Sequence, residues 1–249
     1  MASFFPEVEE PLPGLRPRFT RLPSAAACLA LLDLTVLDGK TGDAPLAALL
    51  SPEEQTLFAA LTFPKRRREW LGGRLAGKVA VLRLDALRVP MAGLSILPAA
   101  HGAPLLSCPA LPTWRLPVLS ISHSDRYVVA LAARTGHCGI DLQRITGQTV
   151  RVADRFAEPA ELELLRQRLP DLDEVQRLTL LWTAKEALKK GVLSDRPVLF
   201  LGVSLQAVHR DRILSLYLRY PGDGGQAALI SAVALEGYFL ASTVGLDHA

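Results

Sequence analysis

Apolar residues recur every three or four positions over two long segments of the chain, and they form short runs elsewhere. The first segment has apolar side chains at helical spacing, namely Trp70, Leu71, Leu75, Val79 and Leu82. This spacing predicts a helix from Lys65 to about Leu84, and a similar segment predicts a second long helix from about Asp173 to Lys190. Because short apolar runs come after each helix, we expect an α+β fold.

A shorter helix is predicted before each long one. Ser51 has the position of an N-cap, with proline next and two glutamates in the first turn, so a helix should run to about Leu61. The segment FAEPAE, which begins at Phe156, opens a second short helix in the same way. The repeated order predicts two pseudo-symmetric halves, 1–134 and 135–249, with the boundary near 134–139.

Strands are predicted where short apolar runs end at turn residues. In the first half and at the boundary they are Val118–His123, Tyr127–Arg134 and Cys138–Leu142, and in the second half they are 198–206, 213–220, 227–234 and 238–245. The proline-rich residues 1–24 are expected to be irregular. We expect strand into turn around Val36–Asp38, and a loop over 90–117.

Composition excludes several classes of protein. The chain of 249 residues is 49% hydrophobic and has a formal net charge of +3, which fits a folded domain without general affinity for nucleic acid. Three widely spaced cysteines form no disulfide framework or zinc motif, which favours a reducing cytoplasm. We also expect no signal peptide and no membrane span.

Two segments combine acidic and basic residues that could carry chemistry. In GIDLQ, Asp141 ends an apolar strand; alone, such an acid more often caps a turn. In WTAKEALKK, Lys185 and Lys189 are four residues apart on one helical face, and Glu186 lies near the edge of the apolar surface that begins at Trp182. The alternative for this segment is an ordinary amphipathic surface helix with salt bridges.

Three further segments could contact an anion. SISHS places Ser122 and His123 near a turn, where hydroxyl and imidazole donors suit phosphate oxygens; a turn histidine with a purely structural role fits equally well. The basic helix has cationic side chains at its start and along its length: Lys65, Arg68, Arg74 and Lys78. A solvated basic patch or a nucleic-acid site are the alternatives there. Gly102 and Pro104 mark a turn.

The order of these segments is more specific than any one of them. SPEE, FPKRRREWLGGR, GAP, SISHS, GIDLQ, FAEPAE and WTAKEALKK resemble the motifs of the surfactin-type 4′-phosphopantetheinyl transferases over roughly residues 50–190. The resemblance implies two similar α/β halves with coenzyme A bound at their interface. It also implies Mg²⁺-dependent transfer of the phosphopantetheine arm to a serine of an acyl or peptidyl carrier protein, with release of 3′,5′-ADP.

The resemblance assigns roles to individual residues. Asp141 and Glu186 resemble magnesium ligands, and Glu186 is also a candidate base for the carrier serine. Lys185 and Lys189 resemble the lysines that neutralise the diphosphate. The coenzyme A contacts would be Lys65, Arg68, Arg74, Lys78, Gly102, Pro104, Ser122 and His123, although Ala103 replaces the lysine of the family's GKP motif.

Position 143 departs from the family pattern. GxDxE becomes Gly139-Ile-Asp-Leu-Gln, so Gln143 offers an amide oxygen where a second carboxylate is usual. Asp141 and Gln143 point the same way from a strand, and Mg²⁺ often uses only one or two carboxylates with phosphate and water. We therefore expect weaker metal affinity without loss of the reaction.

Several alternatives to a transferase stay open on sequence alone. Gln143 and Ala103 favour a non-catalytic coenzyme A or nucleotide binder. The KRRRE segment would suit a nucleic-acid-binding protein, and an interaction module is a third reading. Arg144, Arg151 and Arg155 are candidates for docking an acidic carrier protein. Two fused halves favour a monomer, and we expect neither a nucleic-acid nor a membrane partner.

Overall fold

The structure, a computed structural model, describes residues 5–22, 26–100, 102–134, 137–194, 200–221, 226–244 and 246. It is a mixed α+β protein. Contacts between residues divide the chain into two compact units, one ending at Cys138 and the other beginning at Gly139.

The first unit has one long helix on an antiparallel sheet. Its helices are α1 (Ala44–Ala47), α2 (Pro52–Ala59) and α3 (Pro64–Leu84), and its strands are β1 (Glu7–Val8), β2 (Arg18–Leu22), β3 (Ala27–Asp33), β4 (Ser95–Pro98), β5 (Pro104–Ser107), β6 (Val118–Ser124) and β7 (Tyr127–Ala133). The main sheet has the order β1-β2-β3-β7-β6, while β4 and β5 form a separate hairpin. On α3, Leu71, Leu75 and Val79 are buried against apolar side chains of this sheet.

The second unit repeats this arrangement. Its helices are α4 (Gln148–Arg151), α5 (Pro159–Arg168) and α6 (Glu174–Gly191), and its strands are β8 (Ile140–Arg144), β9 (Ser204–Arg210), β10 (Leu214–Arg219), β11 (Ala227–Leu235) and β12 (Tyr238–Ser242). All neighbouring strands are antiparallel, in the order β8-β12-β11-β10-β9. Leu181, Ala184 and Leu188 on α6 belong to the apolar core of this unit.

A buried ion pair joins the short helix of the first unit to its long helix. Lys78 Nζ lies 2.5 Å from Glu54 Oε2, and both side chains are fully buried. The ammonium also donates to the carbonyl oxygens of Leu49 and Met91. Burial lowers the pKa of the Lys78 ammonium, and the Glu54 carboxylate opposes that shift.

The other oxygen of Glu54 reaches the hairpin β4–β5. Glu54 is the third residue of α2, where its carboxylate accepts from the backbone N–H of Ser51 in a capping box. Its Oε1 accepts from Ile96 N in β4. One carboxylate therefore connects the start of α2, the middle of α3 and a strand.

The second unit contains the same set of contacts at the same spacing. Lys185 Nζ lies 2.9 Å from Glu161 Oε2 and donates to the carbonyl oxygens of Phe156 and Phe200. Glu161 accepts from the backbone N–H of Glu158 in a capping box and from Leu205 N in β9. In each unit the lysine comes 24 residues after its glutamate. The two units are therefore alike in buried polar contacts as well as in element order.

The predicted helices and most of the predicted strands are confirmed, but four regions differ. Residues 5–22 of the predicted irregular arm contain β1 and β2, because Phe19 and Leu22 are buried when β2 pairs with β3. Asp33 ends β3 and caps a 3-10 turn at Leu34–Leu37, so the strand lies before residues 36–38. The hairpin β4–β5 lies inside the predicted loop 90–117. The strand predicted at 198–206 is β9, which begins at Ser204.

A few residues of these predictions lie outside the described residues. They are 1–4 and 23–24 of the proline-rich arm, 101 of the loop predicted at 90–117, 135–136 of the boundary predicted near 134–139, 198–199 of the strand predicted at 198–206, and 245 of the strand predicted at 238–245.

Within the described part of the chain, no helix combines the length and the apolar character needed to cross a membrane. Cys28, Cys108 and Cys138 are buried free thiols. Burial raises the pKa of the Cys28 and Cys138 thiols to about 12.

Removing one partner of a buried ion pair should be far more costly than removing an exposed lysine of the same helix. We expect Lys78→Met to lower the free energy of unfolding by about 3 kcal/mol, because Glu54 loses its buried counter-ion. The matched control is Lys65→Met, since the Lys65 side chain is 78% exposed and lies 3.8 Å from Glu69. Its cost should stay below about 1 kcal/mol. Urea denaturation measures both, and equal costs would contradict this account of the pair.

Candidate functional site

Asp141 and Gln143 face the long helix of the second unit. In the pairing of β8 with β12, Asp141 is opposite Ala241 and Gln143 is opposite Phe239. Ala241 and Phe239 belong to the core that includes α6, and directly opposed residues of paired strands share a face. Asp141 is therefore a buried carboxylate, 4% exposed, beneath the helix.

Glu186 and Lys190 are one turn apart on α6, above this strand. Lys190 Nζ lies 2.6 Å from Asp141 Oδ1 and keeps 31% of its side chain exposed. The helix begins at a capping box in which Asp173 accepts from Gln176 N, and this defines its first residue. The ends of β8 and α6 thus bring two carboxylates and one ammonium together.

The electrostatics of Glu186 also place it in this group. Burial is the main cause of a raised pKa for the Glu186 carboxyl, and the Asp141 carboxylate raises it further. Lys190 and Lys189 act in the opposite direction. A carboxyl with a raised pKa is a better proton acceptor than an exposed glutamate.

The lysines of WTAKEALKK have different surroundings in the structure, and the roles expected for Lys185 and Lys189 stay predictions. Lys185 is buried against Glu161 and donates to two carbonyl oxygens, so its ammonium already has three partners in the core. Lys189 Nζ lies 5.2 Å from the centre of the Phe200 ring. Lys190 is the lysine that reaches Asp141. Sequence reasoning missed it, although it is the last residue of WTAKEALKK and stands four residues after Glu186.

The repeat explains why Lys185 has a structural position. Its counterpart Lys78 makes the same contacts in the first unit, where the next residue is Val79 in place of Glu186. A buried lysine common to both units belongs to the shared scaffold. The acidic group at the next position occurs only in the second unit.

The expected coenzyme A residues on α3 do not form one group. Lys78 is enclosed by its ion pair, which disfavours the expected phosphate contact. Arg74 lies 4.1 Å over the Trp70 ring, and burial lowers the pKa of its guanidinium to about 10. Arg68 is paired with Asp38 at 2.5 Å, and Lys65 is the most exposed of the four cations. Of these four, Lys65 and Arg68 lie at the start of the helix.

SISHS lies on β6, where Ser122 and His123 point to opposite faces because side chains alternate along a strand. Ser122 is buried, whereas His123 is exposed and has Nδ1 3.8 Å from Glu69 Oε1. Lys65 contacts the same Glu69 oxygen at 3.8 Å. The structure therefore brings His123 and Lys65 together around one carboxylate of α3.

Gly102 and Pro104 belong to the hairpin between β4 and β5. Gly102 has a φ of +87°, which favours glycine, and its N–H donates to the Ala99 carbonyl oxygen. Pro104 opens β5. The GAP segment is therefore a tight turn, as its composition predicts.

The donor set around Asp141 fits a hard divalent cation. Asp141 and Glu186 offer carboxylate oxygens and Gln143 offers an amide oxygen on the same face, which are oxygens that Mg²⁺ prefers. Over the described residues, no three His, Cys, Asp or Glu side chains form a metal-binding cluster. The residues present therefore suit a cation that takes most of its remaining ligands from substrate and water.

Two comparisons with known proteins bear on this geometry. Residues 137–241 match the model of the 4′-phosphopantetheinyl transferase superfamily. The match includes β8, α6 and the group formed by Asp141, Glu186 and Lys190. The surfactin-type subdivision within this superfamily stays a prediction.

The chain is also similar to a 4′-phosphopantetheinyl transferase of Bacillus subtilis. The two are 30% identical over 160 residues, which cover 59% of this chain and 66% of the relative. The chain thus spans just under two thirds of the length of that relative.

The raised pKa of Glu186 predicts a pH-dependent stability. A carboxyl whose pKa is higher in the folded state stabilises the fold fully below its ordinary pKa of 4.5, and this contribution is lost as pH rises through the raised pKa. Glu186→Gln removes this pH-dependent loss of stability, because glutamine does not ionise. We expect the variant to gain stability relative to the parent as pH rises above 4.5, measured by urea denaturation without divalent cations. Parallel pH curves for the two proteins would contradict the assignment.

Proposed function

We propose that this chain moves the phosphopantetheine arm of coenzyme A onto a serine of an acyl or peptidyl carrier protein and releases 3′,5′-ADP. The observation that carries the proposal is the group of Asp141, Glu186 and Lys190, which lies within the residues matched by the superfamily model. This group combines a proton acceptor, a cation for phosphate oxygens and oxygen ligands for a metal ion.

The serine hydroxyl attacks the β-phosphorus of coenzyme A, and the bond to the oxygen of the 3′,5′-ADP leaving group breaks. Glu186 takes the hydroxyl proton, because its carboxylate lies in the same group as Asp141 and Lys190 at the candidate site. Lys190 offsets charge on the diphosphate oxygens. Most of the rate enhancement of such a reaction comes from position and charge, which these fixed side chains provide.

Asp141, Glu186 and Gln143 would hold Mg²⁺ in this proposal. Bound there, the ion would polarise the diphosphate and offset its negative charge. Gln143 adds no charge, so the diphosphate would have to supply more of the attraction for the metal.

In the first unit, we propose that coenzyme A contacts Lys65, Arg68 and His123. All three have side chains at least a quarter exposed: 78%, 27% and 38%. The turn formed by Gly102 and Pro104 is a further contact in this proposal, whereas Ser122 is not, because it is buried on the opposite face of β6 from His123. Arg74 would contribute its positive charge to the binding of coenzyme A. Lys78 is not among the contacts because its ammonium is fully buried.

The partner in this proposal is a carrier protein with an acidic surface. Arg144, Arg151 and Arg155 are exposed around α4, and they form a basic surface that would suit it. Coenzyme A and Mg²⁺ are the small-molecule requirements. In this proposal the protein acts as a monomer, and it is located in the cytoplasm.

The direct test incubates the protein with coenzyme A, Mg²⁺ and a panel of apo-carrier proteins, and reads intact mass. We expect one carrier to gain the mass of one phosphopantetheine arm. Glu186→Ala and Asp141→Ala should abolish the gain while the variants stay folded. Normal transfer by Glu186→Ala would refute its role. Coenzyme A binding without transfer to any carrier would instead favour a non-catalytic homologue.

The neighbouring lysines supply a matched control for this assay. We expect Lys190→Ala to lower kcat about 100-fold, since a fixed cation beside the developing charge is lost. Lys189→Ala removes the same atoms one position earlier and should change kcat less than about fivefold. Equal effects would mean that the Asp141 contact does not identify the working lysine.

Position 143 allows the metal proposal to be tested by a gain of function. Gln143→Glu restores a second carboxylate on the face of Asp141, so less Mg²⁺ should be needed for the half-maximal rate. Gln143→Ala is the control, since it removes the amide oxygen without adding charge. An unchanged magnesium dependence in Gln143→Glu would mean that residue 143 does not face the metal.

A further inference from the structure

The last turn of α6 touches the start of β8 at two glycines. A Cβ atom placed on Gly139 would overlap the carbonyl oxygen of Ala187 and lie 2.5 Å from the backbone nitrogen of Gly191. A Cβ on Gly191 would lie 2.9 Å from the backbone nitrogen of Gly139. The helix and the strand are therefore in backbone contact, closer than any side chain permits.

Thr243 holds this contact from the neighbouring strand. Its hydroxyl accepts from Gly139 N at 2.9 Å, and its own N–H donates to the Gly139 carbonyl oxygen at 3.0 Å. Both backbone polar groups of Gly139 are thus bonded to the residue directly after β12. The methyl carbon of Thr243 also lies 2.9 Å from where a Cβ of Gly191 would be.

The contact is adjacent to the candidate site on both the strand and the helix. Gly139 stands two residues before Asp141, and Gly191 comes directly after Lys190. The side chains of Asp141 and Lys190 meet at 2.6 Å. A shift of the helix away from the strand would lengthen this distance and the distance from Asp141 to Glu186.

The long helix of the first unit has no glycine at the position equivalent to Gly191. Counted six residues on from the buried lysine of each long helix, Gly191 corresponds to Leu84, a partly buried side chain that packs on the core. The rest of the scaffold is repeated, including the ion pairs of Lys78 and Lys185. The close crossing therefore accompanies the acidic site and is not a requirement of the shared fold.

We propose that the contact of Gly139 with Gly191, held by Thr243, is a positioning device that sets the separation of Asp141 from Glu186 and Lys190. Gly191 and Thr243 are its positioning residues. The spacing itself is a property of this structure, while its importance for transfer rests on the proposed function. The two parts can be tested separately.

The spacing is tested by the energetic coupling of Asp141 with Lys190, which needs no enzymatic activity. Asp141→Asn and Lys190→Met are made singly and together, and the urea unfolding midpoint of each variant is measured. The coupling is the difference between the midpoint shift of the double variant and the sum of the two single shifts. We expect Gly191→Ala to reduce this coupling by more than half. An unchanged coupling in Gly191→Ala would overturn the proposal.

Gly147→Ala is the matched control, because Gly147 has a negative φ of −64° and no atom lies within 4 Å of its Cβ position. It should leave the coupling unchanged. If Gly191→Ala fails to fold, the coupling is measured in Thr243→Val, which keeps the shape but loses the hydroxyl. Full coupling in Thr243→Val would equally overturn the proposal.

The catalytic consequence is read in the transfer assay. Gly191→Ala should lower kcat by about 10- to 100-fold and leave the KM for coenzyme A within about twofold, because position is lost and binding is not. Adding Thr243→Ser removes the methyl that the new Cβ would meet, and it should restore part of kcat.

If the parent protein transfers to no carrier, the proposed function fails while the coupling result still decides the spacing. Reduced coupling with an unchanged kcat would overturn the role in transfer alone.

Discussion

A buried ammonium–carboxylate pair fixes each unit of this protein. The glutamate is the third residue of a short helix, and its two oxygens accept from the helix start, a lysine and a strand N–H. Because a charge buried without its partner costs several kcal/mol, these elements keep one arrangement. The long helices and sheets are assembled around that pair in both units, at the same chain spacing of 24 residues.

The two units differ at the residue directly after the buried lysine. In the first unit this residue is Val79, which packs in the core, whereas in the second it is Glu186, which lies beside Asp141. The ion pair of Lys185 therefore determines the rotation of α6, and through it the side of the helix on which Glu186 lies. The scaffold is present twice, but the acidic group occurs in one copy, near the start of β8 and on the last turns of α6.

Local signals in the sequence predicted the helices well. Ser51 and Pro52 mark the start of α2, and apolar spacing marks α3 and α6, since both signals depend on neighbouring residues alone. Asp141 and Glu186 were found through the order of motifs. The partner of a charge was not predictable, because whether Lys185 or Lys190 reaches Asp141 depends on how a helix lies on a sheet. The strand β2 was not predicted for the same reason, because its formation depends on pairing with β3, which is not a local signal.

Motifs that resemble a family do not by themselves separate scaffold from site. Lys78 and Lys185 match expected ligand-binding positions, yet their contacts are with Glu54 and Glu161. The burial of a lysine and the identity of its partner together indicate whether it belongs to the scaffold or to the site. Lys190 has a partly exposed side chain with its ammonium on Asp141, and in the proposed function it is the lysine that contacts phosphate oxygens. In this proposal the lysines are divided between scaffold and site.

Reductive methylation of amines tests this division of the lysines most directly. Modification is read by mass spectrometry with and without desulfo-coenzyme A and Mg²⁺, because this ligand keeps the diphosphate and lacks a competing thiol. We predict that Lys78 and Lys185 stay unmodified in both conditions, and that the ligand protects Lys190 from modification. Modification of Lys185 that the ligand suppresses, with Lys190 unaffected, would contradict the division.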